Sequence, residues 1–406
     1  MSVSGSLDLT SPATFQEARA ALDIHHLVVA DRIGHPTAAN GVHNVARSLV
    51  REQQAAGDRA RLTLLAYGDV AVDGDSRCAT RAIQIHGRAL RGRTVWLRQD
   101  VIDALLEDAD ESTIFHIHGG REPLLLGLGR ALRHRGVPYA ITVHGRFSHI
   151  YDSAGRSLKR TTELYLKMFE RSLLEGAKFV QALAPEEEWV LSRIAPRATI
   201  KVVGNGAYSS RLGRVPARPA ARPPSASFPH FAYCGRYEIE HKGLDLMIEG
   251  FALYRRSGGI GHLTMIGTGP VRMRLVQMAE EFAVSDVVHI HGPMFGAERD
   301  AILQACDWFV MTSRFEGVPL AALEAAMLGM PLVVTSGTSL RTAVEASSAG
   351  IPVLDLTAQA VCTAMHQAGS LSAAEWQARS NAAYGLAMSS GDWTVIAARL
   401  RNLYLR

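Results

Sequence analysis

The chain has 406 residues, 47% of them hydrophobic and 20% charged, and carries a formal net charge of +4. That length exceeds one ordinary α/β domain and allows about two, each able to bury a full core, while the composition excludes a disordered or fibrous chain. The small positive charge suits phosphate-bearing ligands or an anionic membrane surface, and is too weak to imply nucleic acid as a partner.

Residues 1–20 lack a basic stretch followed by an apolar core, so they read as a loose leader and not as a secretory signal. Short apolar runs then alternate with longer helix-patterned stretches, the signature of βαβ units and a parallel sheet. The expected strands are Ile24–Asp31, Leu62–Ala66, Thr113–His118, Tyr139–His144, Lys178–Leu183 and Ile200–Val203, with a helix from Val42 to Ala56 stopped by Gly57. Prolines at 216, 219, 223, 224 and 229 interrupt the pattern and place a stiff linker at residues 207–229. Alternation then resumes with strands His230–Cys234, His262–Ile266, Val287–His291, Trp308–Thr312 and Leu332–Thr335. The helices between them are Gly243–Arg256, Val271–Phe282, Glu298–Ala305 and Pro319–Gly329. The tail from Ala373 onward is helical in pattern, and its last part, 386–406, carries Trp393, Ile396, Leu400 and Leu403 at helical spacing, suited to crossing back onto the first half. No run approaches the roughly eighteen apolar residues that span a bilayer. Cys78, Cys234, Cys306 and Cys362 stand far apart, so neither a disulfide framework nor a thiolate metal site is expected, and a reducing, cytoplasmic setting fits.

The most informative segment is SRFEGVPLAALEAAMLGMPLVVT, from Ser313 to Thr335. A strand ends in a glutamate loop, Pro319 falls at the first helical position, and Gly329 stops the helix before the next strand. The amino end of such a helix offers free N–H groups and partial positive charge to a diphosphate. Glu316 in the loop and Glu324 on the helix suit recognition of hydroxyls on two parts of one ligand, because ionised carboxylates only accept hydrogen bonds.

This E-x7-E arrangement, inside two Rossmann-like halves, resembles the large family four of retaining glycosyltransferases. The motifs follow that family's order over nearly the whole chain: Gly41 before a helix, VPYAITVHG ending in His144 and Gly145, VVGNGAY from Val202, YCGRYEIEHKGLDLMIEGF from Tyr233, and MIGTGP from Met265. The resemblance implies an α/β GT-B fold, two Rossmann-like domains with parallel sheets facing a cleft. It gives the acceptor to domain 1–206 and a nucleotide-diphosphate-sugar donor, as co-substrate and without a separate cofactor, to domain 230–385. It assigns Arg236 and Lys242 to the donor diphosphate, Glu324 to the ribose, and Glu316 to the transferred sugar. Val318, Pro319 and Leu320 are placed along sugar and phosphates, Gly41 at the phosphates, and His144 near the reacting centre. The chain departs from many members in having Asn40 where a second glycine often stands, and it keeps only Gly337 and Glu345 of a glycine-rich stretch after Thr335.

Other constellations weigh less. HIHGG from His116 and HIHGP from His289 put alternate histidines on one side of a strand, yet no third metal ligand is evident by spacing. Asp73-Gly74-Asp75 resembles the D-x-D of metal-dependent transferases but falls in a polar stretch, and Gly267-Thr268-Gly269 lacks the rest of a dinucleotide fingerprint. No metal is therefore expected. RSLKRTTELYLKMFERSLLE, from Arg156 to Glu175, mixes basic and large apolar residues and is compatible with an interfacial helix, which leaves open a peripheral membrane contact and a sugar or lipid-linked acceptor. Two rivals stay open: a nucleotide-sugar-binding protein without turnover, and another GT-B enzyme such as an epimerase or a phosphorylase.

Overall fold

A computed structural model describes residues 21–29, 41–66, 78–85, 89–90, 93–94, 97–147, 150, 160–208, 210–211 and 229–406. The expected leader, Asn40, the Asp73-Gly74-Asp75 stretch, most of the proline-rich linker and the first part of the basic segment lie outside these residues.

The N-terminal half runs β1 (Asp23–Val29), α1 (Gly41–Ala55), β2 (Arg59–Ala66), β3 (Thr80–Gln84), a small pair β4 (Ala89–Leu90) and β5 (Arg93–Thr94), then α2 (Gln99–Leu106), β6 (Thr113–His118), α3 (Pro123–His134) and β7 (Tyr139–Thr142). It continues through α4 (Arg160–Tyr165), a π-helical turn at Leu166–Glu170, α5 (Arg171–Glu175), β8 (Phe179–Ala182), α6 (Pro185–Ile194) and β9 (Ile200–Val202). Seven strands form a parallel sheet ordered β3-β2-β1-β6-β7-β8-β9. β6 is buried along its whole length, as expected where helices cover both faces of a parallel sheet.

The C-terminal half repeats the plan. It runs β10 (Phe231–Cys234), α7 (Ile239–Lys242), α8 (Leu244–Arg256), β11 (Leu263–Ile266), α9 (Arg272–Glu281), β12 (Val288–His291), α10 (Gly296–Gln304), β13 (Trp308–Met311), α11 (Leu320–Met327), β14 (Leu332–Thr335), α12 (Arg341–Ser347), β15 (Gly350–Val353) and α13 (Ala358–Ser370). Its six parallel strands are ordered β12-β11-β10-β13-β14-β15. Two doubly wound sheets in an α/β architecture are the GT-B arrangement of two Rossmann-like domains facing a cleft. Strand order reverses between β1 and β6 in one sheet and between β10 and β13 in the other, and ligands bind such sheets outside the strand carboxyl ends at that reversal.

The final helices, α14 (Ala373–Ser390) and α15 (Trp393–Leu405), divide the tail. α14 packs on the C-terminal core through Trp376, Ala383 and Ala387. It continues past position 386, so the crossing segment starts beyond Gly391, where the Asp392 carboxylate caps α15 by accepting from Thr394 N–H. α15 inserts Trp393, Ile396, Leu400 and Tyr404 into a cluster with Val45 and Leu49 of α1 and the strands beneath. A second cluster fills the opposite face of the N-terminal sheet.

Three boundaries differ from the expected ones for local reasons. β7 ends at Thr142, not His144, because His144 and Gly145 adopt φ of 53° and 73°, a left-handed turn that cannot continue a strand. Pro319 is the N-cap of α11, at φ −74° and ψ 111°, one residue before the first helical position. β15 falls beyond the last expected strand; it contains Gly350 and Pro352, which an edge strand tolerates.

Candidate active site

β10 leads through Gly235 to Arg236, and β13 leads into the glutamate loop, so both segments open at the strand-order reversal. Gly243 couples them. At φ 61° it lies so close to the glutamate loop that a Cβ there would stand 2.2 Å from the Thr312 carbonyl oxygen. Arg314 clamps the same junction with paired bonds to Asp245 at 2.8 and 2.6 Å.

Lys242, ending α7, places Nζ 2.5 Å from Glu316 Oε2, and the Ser313 hydroxyl donates to that oxygen at 3.0 Å. The backbone of Glu316 is held too, its N–H donating to Gly337 O at 2.7 Å. Burial would raise this carboxyl, but the Lys242 charge and its hydrogen bond outweigh burial and hold it below the usual range. Glu324 has a cation of its own, Arg299 of α10, whose Nη1 lies 2.5 Å from Oε2, but here burial outweighs the cation and raises the carboxyl. Oε1 of both glutamates takes no partner among the described residues. Arg236 is half exposed and paired with Glu238 at 2.7 Å. Val318 is half-buried and Pro319 buried, while Leu320 packs on the cluster that holds α1 and α15.

His144 and Gly145 face this loop from the N-terminal domain. A Cβ on Gly145 would stand 2.6 Å from Gly317 N, so the two domains meet between the candidate histidine and the candidate glutamate. The turn is fixed from beneath by Glu187, which accepts from Gly145 N–H at 2.6 Å and Leu183 N–H at 2.7 Å. A non-glycine residue held at positive φ stores strain on the order of 1–3 kcal/mol, a cost found mainly at functional sites. Gly41 opens α1, and a Cβ there would meet no atom of the described residues within 4 Å.

Behind His144 lies a buried histidine stack. His26 of β1 is in register with His116 of β6, and with His118 it brings three imidazoles within 4.8 Å. This supplies the third histidine that spacing alone did not reveal. The rings do not converge on a point, however: His116 and His118 stack at 4.5 Å and 15°, and every nitrogen of the three already has a hydrogen-bond partner. That geometry fits a hydrogen-bonded stack and not a metal centre, which needs lone pairs aimed at one ion.

The structure thus brings His144, Glu316 and Lys242 to one junction, with Glu324 along α11 from it. Arg299 and Glu187 were missed by sequence reasoning. Their pairings cross 25 and 42 positions of sequence, with no spacing rule to signal them. His26 carried a faint signal, the polar pair His25-His26 inside a buried strand.

Comparison with known proteins relates both halves to glycosyltransferases. Residues 40–206 match the family described as "Glycosyl transferase 4-like domain", and residues 228–369 match "Glycosyl transferases group 1". The putative colanic acid biosynthesis glycosyltransferase WcaL of Escherichia coli is 31% identical over 128 residues, 30% of this chain and 32% of that protein. The glycogen synthase of Mycobacterium tuberculosis is 30% identical over 208 residues, 51% of this chain and 49% of that protein. These matches therefore span about a third to a half of the curated relatives. Among solved structures, Anabaena HepE in complex with UDP and glucose superposes with a TM-score of 0.69 at 16% identity, covering 94% of this chain and 98% of that one. Sucrose-phosphate synthase from Thermosynechococcus elongatus gives 0.68 at 18%, with the same coverage. At such identities the superpositions establish the fold.

Proposed function

We propose, for a chain with the GT-B fold whose two halves are both related to glycosyltransferases, that it transfers a sugar from a nucleotide-diphosphate donor to an acceptor, with retention of configuration and without a metal. The observation that carries this reading is the division of the site into two chemistries. Lys242, Arg236 and the amino end of α11 supply positive charge, whereas Oε1 of Glu316 and of Glu324 offers acceptors with no partner among the described residues. Cations and a helix end suit a diphosphate; ionised carboxylates suit the hydroxyls of a ribose and a sugar. As the glycosidic C–O bond lengthens, negative charge grows on the departing diphosphate, and fixed positive groups there stabilise the transition state. Lys242 reaches that charge from its pairing with Glu316, so the two side chains would act as a unit. No protein nucleophile is evident among the described residues. In the resembled family the acceptor attacks from the face the diphosphate leaves, its proton passing to a donor phosphate oxygen. The acceptor is read as a sugar or a lipid-linked sugar.

The test is a panel of UDP-, GDP- and ADP-sugars. A ligand that binds only the folded state at a hundred times its Kd stabilises it by about 2.7 kcal/mol. One nucleotide sugar should raise Tm more than its bare diphosphate, and with acceptor present it should yield a retained glycoside in EDTA. A donor that binds without turnover would make the protein a sugar-nucleotide binder, and a product formed without acceptor would make it an epimerase. Activity abolished by EDTA and restored by magnesium would overturn metal independence.

A further inference from the structure

The buried polar seam behind His144 has a fixed direction. The Val203 carbonyl can only accept, so it takes the amide N–H of Gln181 at 2.7 Å, which turns the amide oxygen of Gln181 to Thr142. The Thr142 hydroxyl donates to that oxygen at 2.7 Å, and therefore accepts from His116 Nε2 at 2.7 Å. Burial pushes His116 well below the usual histidine range, so the ring is neutral and its Nδ1 accepts from the Tyr404 hydroxyl at 2.5 Å. With its proton committed, Tyr404 leaves the Gln53 amide no donor on that side; the amide turns its oxygen toward His26, and its buried Nε2 makes no hydrogen bond to a described residue. His26 Nε2 donates to that oxygen at 2.8 Å. His26 Nδ1 then accepts from His118 Nε2 at 2.8 Å, and His118 Nδ1 from His144 Nε2 at 3.0 Å.

We infer that Gln53, His26 and His118 are positioning residues that lock His144 in the Nε2-protonated tautomer, so that its Nδ1 meets the ligand only as a hydrogen-bond acceptor. Nδ1 of half-buried His144 takes no partner among the described residues. An acceptor can receive a sugar hydroxyl and repels a phosphate oxygen. This last step rests on the proposed sugar transfer; the tautomer does not. His144 thereby joins Oε1 of Glu316 as an acceptor at the domain junction, and the two differ in kind, one neutral and one ionised. The buried seam also reaches the last helix, because the Tyr404 hydroxyl of α15 donates to His116 Nδ1.

The experiment is long-range proton–nitrogen correlation on protein labelled with nitrogen-15 histidine, near neutral pH and without ligand, with His144 assigned by loss of its signals in His144→Gln. The expected result is a single neutral tautomer with the proton on Nε2. Proton occupancy on Nδ1 of the wild-type His144 overturns the inference directly, with no variant needed. Gln53→Met, similar in volume but without an acceptor, should abolish the single-tautomer signature, whereas Gln53→Glu, which keeps an acceptor, should restore it. An unchanged His144 spectrum in folded Gln53→Met would remove Gln53 from the chain of cause. On adding the nucleotide sugar that most raises Tm, the Nδ1 signal should shift, and the matching nucleoside diphosphate alone should leave it in place. A shift with the diphosphate alone refutes the hydroxyl assignment. If no nucleotide sugar binds, the transfer reading fails while the tautomer of the free protein stands measured.

Discussion

Glu316 and Glu324 each tie one carboxylate oxygen to a cation and leave the other without a partner among the described residues, but the cations differ in proposed duty. Arg299 is shared between Glu324 and Asp300, whereas Lys242 is itself proposed to meet the diphosphate. Ribose hydroxyls keep their geometry through the reaction, so Glu324→Gln should raise donor KM and spare kcat. Glu316→Gln should lower kcat as well, since Glu316 is proposed to face the changing sugar and its loss of charge would disturb Lys242. Loss of a hydrogen bond to a charged group, about 1.5–3 kcal/mol, predicts roughly ten- to a hundredfold effects. Steady-state kinetics with saturating acceptor decide it, and a Glu316→Gln enzyme with full kcat would refute this division. A second prediction concerns acid. Burial lowers His26 to about 4 and His144 to about 3, and His116 and His118 well below 6.5, so below pH 6.5 the unfolded chain binds protons that the native state refuses. Glu170, raised by burial to about 7, acts with the opposite sign, as do the raised Glu187 and Glu324, while the lowered His25 and His241 act with the four. Stability should therefore fall as pH drops from 6.5 toward 4.5, because the lowered histidines outnumber the raised carboxyls. A Tm that stays level between pH 7 and pH 5 would contradict native burial of these rings. The glutamates and basic residues of the candidate site were picked out because each pair lies on its own short motif, 316–324 and 236–242. Arg299, Glu187 and the His26–His118–His144 alignment depend on register and on contacts distant in sequence.

At the level of elements, β13 and β14 were legible because buried parallel strands read as short apolar runs, and α8 and α9 because helix-patterned stretches lie between such runs. β3, with the sequence TRAIQ, and β15 carry no such run, lying at sheet edges where burial is incomplete. The basic segment forms α4, the π-turn and α5, and the turn leaves Leu164, Met168 and Phe169 exposed beside Lys167 while burying Leu166 and Glu170. Three large apolar side chains turned outward among basic residues have the makeup of a surface that enters the headgroup layer of an anionic membrane. Flotation with vesicles containing anionic lipid should carry the protein upward at low salt, and Met168→Glu with Phe169→Glu should leave it at the bottom. Failure of the wild type to float would retire membrane docking and weaken the lipid-linked acceptor with it.

For the whole molecule, α15 joins the halves. Trp393 packs so closely on Gly206 that a Cβ there would stand 2.4 Å from the indole, and the Arg401 guanidinium bonds both oxygens of buried Asp58 at 3.1 Å. Truncating Trp393 to alanine removes a buried ring and should cost about 3–5 kcal/mol, read as a lowered midpoint in urea. A midpoint unchanged within error would mean that α15 is dispensable to the N-terminal core. The same packing bears on how the protein is made. The N-terminal sheet is complete in sequence by Val202, yet the helix that covers one of its faces follows some 190 residues later. At about 5–20 residues per second, the ribosome delivers that helix roughly 10–40 s after the last strand. During this interval the nascent first domain exposes the apolar groove that Trp393, Ile396 and Leu400 will fill, so it should recruit a chaperone, and a chain stalled before Asp392 should be cut there by protease while the C-terminal domain resists.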